Sequence, residues 1–219
     1  MNLLKKITYL KYKKNPYFHK FYTEIQKKPL EHLTFCSFDL ETTGLDIKKD
    51  EIISIGGIKI KDLKIELSSK FYKVVRPKKK IKKESILIHG ITTADIETAL
   101  PPEEVIPNFL EYIKGTILVG YFISFDISIL SRYSQEMFGI PVLNPYIDIR
   151  DIYFSKLKSR YTPTEKREEK NLEQLAEEYG IPVEKRHDAF YDSLISALIF
   201  MAMAKKDRSI VEKAVRKII

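Results

Sequence analysis

The order of hydrophobic periods along the chain most constrains its fold. Three strand-like stretches come first, "LTFCSFDL" (33–40), "EIISIGGIKI" (51–60) and "KIELSSKFYKVV" (64–75). Their links are short, which suits antiparallel neighbours. Strand and helix then alternate. A helical stretch covers 103–114, "TILVGYF" (116–122) reads as a strand, and "FDISILSRYSQEMF" (125–138) as a helix with Phe125, Ile129, Tyr133 and Met137 on one side. "PYIDI" (145–149) is a short strand, and helices follow around 151–158, 171–179, 188–204 and 207–218. Strands, then alternation, then helices predict an α/β or α+β three-layer domain with a mixed sheet.

The 219 residues suit one sizeable domain. The apolar run "ALIFMAMA" (197–204) is too short to span a bilayer, and lysines break up the first fourteen residues too often for a signal peptide. The single cysteine, Cys36, cannot form an internal disulfide, so a reducing, cytoplasmic compartment is expected. The net charge of +8 is lopsided, because residues 1–30 hold eight lysines and one acid, Glu24. Leu3, Leu4, Ile7 and Leu10 form one helical stripe; Phe18, Phe21, Tyr22 and Ile25 form a second. Residues 1–30 therefore read as a basic, aromatic helical extension on a domain spanning 31–219. Two uses compete for it: packing on that domain, or holding an acidic partner such as nucleic acid.

The first strand-like run ends in Asp39 and Glu41. Residues two apart in a strand share a face, so both carboxylates point one way while Phe38 and Leu40 point into the core. Two adjacent anions repel unless a cation offsets them, and hard divalent ions favour carboxylate oxygens. Chance alone supplies about one Asp-x-Glu in a chain of this composition. Asp95-Ile96-Glu97 is a second, in a helix-start context where both would be ordinary surface acids. Asp126 follows a strand and opens a helix, with Ser124 as its expected cap. In "RHDAFYDS", His187 and Asp192 stand five apart, about 140° around a helix. His187 must then lie on the loop before the helix, with Asp188 as the cap and Asp192 in the first turns. Three carboxylate positions at a strand end and two helix starts, with a histidine beside them, suit two-metal phosphodiester hydrolysis.

These motifs resemble the DEDDh 3′–5′ exonuclease family. The matching stretches are "DLETTGLD" (39–46), "IHGIT" (88–92), "VGYFISFD" (119–126), "YIDI" (146–149), "NLEQLAEEYGI" (171–181) and "HDAFYDS" (187–193). The resemblance spans roughly residues 33 to 205 and implies an RNase H-like three-layer α/β fold, with a mixed five-stranded sheet flanked by helices. It implies two Mg²⁺ or Mn²⁺ ions held by Asp39, Glu41, Asp126 and Asp192, with His187 as general base. Thr42, Thr43 and Leu45 would contact the terminal nucleotide of a single strand's 3′ end, Leu45 as a wedge. His89 to Thr92, Ile91 included, would wall that pocket. The chain departs from the family at Tyr121-Phe122, where His-Asn is usual, so Phe122 is expected to stack on a base instead.

The basic run Arg76, Lys78, Lys79, Lys80, Lys82 and Lys83 either tracks phosphates or keeps a hairpin edge from pairing. No polymerase-docking tail is visible after the last motif, which leaves association with a polymerase open and unsupported. The competing function is a catalytically silent nucleic-acid-binding or scaffold module on the same fold. A hydrolase of small phosphate esters is a third reading.

Overall fold

The computed structural model describes residues 9–79, 89–160 and 169–219. The stripe residues Leu3, Leu4 and Ile7, the lysines Lys80, Lys82 and Lys83, and residues 161–168 lie outside the described residues. Five strands form one sheet: β1 (Phe35–Thr42), β2 (Ile52–Lys61), β3 (Lys64–Val74), β4 (Ile117–Gly120) and β5 (Tyr146–Asp148), in the order β3-β2-β1-β4-β5. β1 pairs antiparallel with β2, which pairs antiparallel with β3. β1 and β4 are parallel, as are β4 and β5. The mixed sheet is thus the expected one.

Besides helical residues 9–12 and a 3-10 turn at Leu30–His32, the helices are α1 (Phe18–Phe21), α2 (Thr93–Glu97), α3 (Pro102–Ile113), α4 (Ser124–Phe138), α5 (Ile149–Arg160), α6 (Leu172–Glu178), α7 (Ala189–Lys206) and α8 (Arg208–Ile218). The alternation along β1 sorts the layers. Cys36, Phe38 and Leu40 enter a core made with Val105, Phe109 and Leu110 of α3 and Ile129 and Leu130 of α4. Phe35 enters the opposite core, where its ring meets Phe200 of α7 at 4.9 Å. Ser37, Asp39 and Glu41 share the Phe35 face. Burying α7 there therefore brings that helix over the two acids.

Local chemistry sets the helix starts. Asp188 caps α7, its side chain accepting from the amides of Phe190 and Tyr191. Asn171 and Gln174 form a reciprocal capping box on α6. Each cap contributes about 1 kcal/mol. Ser124 is not the cap of α4. Phe122 takes a left-handed φ of 54° and Ile123 is already helical, so the turn closes earlier and Ser124 is the first helical residue.

The described residues of this N-terminal segment, 9–30, pack on the rest of the chain. Its second helix is only the four residues of α1, and 22–29 run on without helix, so Ile25 leaves the stripe. Phe18 and Phe21 are buried, and the Tyr17 and Phe21 rings sit 4.9 and 4.8 Å from Phe138. Asn15 donates to the Phe138 carbonyl at 2.8 Å, and Lys20 pairs with Glu111 at 3.0 Å. Phe138 ends the helix whose first turn carries Asp126. Twelve residues of helix separate them, roughly 18 Å.

Candidate active site

The acids gather where β1 ends. Asp39 lies opposite Gly56 of β2. A side-chain carbon at Gly56 would sit 2.1 to 2.2 Å from backbone atoms of Ala189 and Phe190. Glycine there lets the first turn of α7 press on the sheet beside Asp39, and Ser37 fixes the approach by donating to the Ser193 carbonyl at 2.8 Å. That turn carries Asp192, which is buried. His187 precedes it on the loop, side chain exposed, with a left-handed φ of 59°. Its amide donates to Asp192 Oδ2 at 3.3 Å. One ligand atom from each of Glu41, His187 and Asp192 lies within 4.8 Å of the others. Asp126, buried on α4, accepts from the Leu40 amide at 3.1 Å, tying that helix to β1.

The electrostatics are those of crowded anions. Burial, then the charges of Asp126, Glu41 and Asp192, hold the Asp39 carboxyl well above the usual carboxylate range. Burial and then the charges of Asp192 and Asp188 push Glu41 up to about 8. Asp126 is raised by burial against the pull of its backbone hydrogen bonds. Burial also raises Asp192, although Arg186, at 2.7 Å, opposes it. A divalent cation fits this donor set: carboxylate oxygens and an imidazole converge, and Arg186 offsets only part of their charge.

The other sequence-predicted residues lie around this cluster in different states. Thr42 donates to the Gly44 carbonyl at 2.7 Å. Thr43 donates to Asp50 at 2.9 Å and accepts from the Glu51 amide at 3.0 Å. Both hydroxyls are therefore engaged in shaping the turn. That turn projects Leu45, which is 84% exposed, more than any other large hydrophobic side chain described. His89 and Ile91 are buried. His89 Nδ1 accepts from the Ile91 amide at 3.1 Å, and its buried Nε2 has no partner. Burial, then the nearby His187, lowers the His89 pKa, so the ring is neutral at pH 7. Phe122 is half exposed, with the Arg150 guanidinium 4.2 Å from its ring centre. Arg150 in turn is held in a fork by Asp148, at 2.7 to 3.2 Å.

Sequence reasoning missed Gly56, Asp50, Ser193 and Arg186. Gly56 carried a signal, since a glycine inside a strand marks a close approach. Ser193 depends on a contact across the fold, with Ser37, while Asp50 and Arg186 depend on how their own loops turn back on Thr43 and Asp192.

The Exonuclease family model of the RNase T group matches residues 36–200. The chain belongs to this DEDDh exonuclease family. It is 32% identical over 180 residues to a DNA polymerase III PolC-type protein of Thermotoga petrophila, covering 82% of this chain. It spans only 12% of that relative's length. It is 30% identical over 173 residues to a DNA polymerase III subunit epsilon of Aquifex aeolicus, covering 79% of this chain and 81% of the relative. Among solved structures, E. coli exonuclease I in complex with a dA16 oligonucleotide superposes with a TM-score of 0.71 at 17% identity, over 83% of this chain and 43% of that one. Cell-death related nuclease 4 superposes with a TM-score of 0.64 at 21% identity, over 80% and 64%. The fold is RNase H-like. Among the described residues, no helix is long and apolar enough to cross a membrane.

Proposed function

We propose that the protein is a metal-dependent 3′–5′ exonuclease that removes nucleotides from the 3′ end of a single strand. The observation that carries this reading is the convergence of Glu41, His187 and Asp192 beside Asp39 and Asp126 at the end of the central strand. Asp39, Glu41 and Asp192 would hold one Mg²⁺ or Mn²⁺, and Asp39 with Asp126 a second. When bound, two such ions supply the water activation and charge neutralisation that phosphodiester hydrolysis needs.

The chain's own residues do the rest. His187, exposed at the mouth, takes the proton from the attacking water. Leu45 lies against the last base. Thr42 and Thr43 act through the backbone they hold in place, since their hydroxyls are engaged. Neutral His89 offers its Nε2 hydrogen to the terminal nucleotide, with Ile91 beside it as an apolar wall. Phe122 gives a stacking face for a base. All five catalytic positions are filled, which disfavours the silent-module reading. The relatives are named as DNA polymerase proteins, which favours DNA over RNA and a bacterial cytoplasmic setting.

A labelled single strand tests the proposal. With Mg²⁺ or Mn²⁺, mononucleotides should appear from the 3′ end, faster from DNA than from a matched RNA, and EDTA should stop the release. Binding without release under both metals would leave the silent module standing. Turnover of small esters but not of polymers would favour the third reading.

A further inference from the structure

Arg186 places a cation against the acidic cluster. Its Nη1 lies 2.7 Å from Asp192 Oδ1, and its side chain is 26% exposed. Its charge also acts on Asp39 and Glu41. The contact differs from the other arginine–aspartate pair nearby. Arg150 grips Asp148 with a two-pronged fork of aligned hydrogen bonds, as a structural guanidinium does. Arg186 instead meets Asp192 at one point, Nη1 to Oδ1, with both atoms buried. Charge attraction is the larger part of what holds it there. A spherical divalent ion satisfies the same carboxylates with more charge and no angular demand.

We propose that Arg186 is a tethered counter-ion of the metal-free site, its guanidinium standing beside Asp192 among the metal-ligand carboxylates until a divalent cation displaces it. This rests on the two-metal reading above. The metal-free protein then escapes the full repulsion of its clustered acids. Metal binding becomes an exchange of one cation for another. The displaced guanidinium stays tethered next to His187, at the mouth, where its planar fork matches a phosphate of the incoming strand.

The test is Mn²⁺ binding by calorimetry on the full chain, without nucleic acid. R186Q should bind Mn²⁺ about tenfold tighter than the wild type, the equivalent of about 1.4 kcal/mol. R186K keeps the charge and should stay within about threefold of the wild type. Without metal, R186Q should melt at a lower temperature than the wild type, and saturating Mn²⁺ should close the gap. If R186Q is unfolded without metal, its refolding by Mn²⁺ but not by NaCl of equal ionic strength supports the exchange; failure to refold overturns it. Equal or weaker Mn²⁺ binding by R186Q overturns it too, as does R186K behaving like R186Q. A wild type that binds no Mn²⁺ overturns the metal-site reading itself, a result distinct from a ratio of one between variant and wild type.

Discussion

Gly56→Ala isolates the contact that assembles the site. Gly56 is not among the glycines with positive φ, so its backbone accepts alanine without strain. By chain entropy alone the substitution stabilises a protein by about 0.4–1 kcal/mol. The added carbon, however, would lie 2.1 Å from the Ala189 carbonyl carbon and 2.2 Å from the Phe190 nitrogen. Both are backbone atoms and cannot rotate away, so the first turn of α7 must retreat by roughly 1 Å or more, a displacement that costs on the order of 10²-fold in rate at a catalytic site. The same overpacking costs about 1–3 kcal/mol of stability. Single-turnover nucleotide release and thermal melting measure the two effects. Gly57→Ala is the internal control, because its added carbon faces the other layer and meets the movable Tyr112 ring at 3.3 Å. It should leave the rate within about threefold, since no catalytic group shifts. A Gly56→Ala protein that melts higher and cleaves at the wild-type rate would refute the close approach and the positioning argument built on it.

Asp39→Ala, Asp126→Ala and Asp192→Ala should each lower hydrolysis by several orders of magnitude with the fold intact by circular dichroism; more than about a tenth of the activity left would remove that residue from the metal set. His187→Ala should slow single-turnover release by roughly 10²- to 10⁴-fold while Mn²⁺ still binds, and a wild-type rate would end its role as base. Metal-free stability should fall as pH rises from about 5 to 8: the folded Glu41 carboxyl, raised to about 8, holds a proton that the unfolded chain has lost. The slope is about 1.4 kcal/mol per pH unit for that proton, and melts at several pH values should show it vanish with saturating Mn²⁺. Deleting residues 1–30 should lower the melting temperature, because Phe18 and Phe21 are buried. It should leave release from a trinucleotide unchanged, because the packed segment lies at the far end of α4; a lost trinucleotide rate with an intact fold would place the extension at the site.

Much of this was legible in the sequence because it rests on local rules. The alternation of β1 fixed which side Asp39 and Glu41 share, and the five-residue spacing fixed His187 on a loop and Asp188 as the cap. The wrong cap at α4 came from reading Ser124 by type, when the left-handed Phe122 had already turned the chain. The aromatic lysine-rich extension was ambiguous because composition does not reveal what a ring packs against. Phe138 supplies that surface from 117 residues beyond Phe21.

What the sequence hides is the set of contacts that hold the motifs together. Asp39 and Asp192 are 153 positions apart, and nothing in either motif says how close they come. The distance is set by Gly56, which removes a side chain, and by Ser37, which hydrogen-bonds the Ser193 carbonyl. Neither residue bears a charge or offers a metal ligand. Burial is the first cause that raises Asp39 and Glu41, and the Asp192 charge that adds to both is there because α7 is pressed this close. Loosening the helix would relieve the acids and lower their affinity for a cation together. Close packing at Gly56 and crowded charge at Asp39 are therefore one device: steric fit holds the carboxyl groups at a separation that their ionised forms resist, which is the condition that would favour a divalent cation.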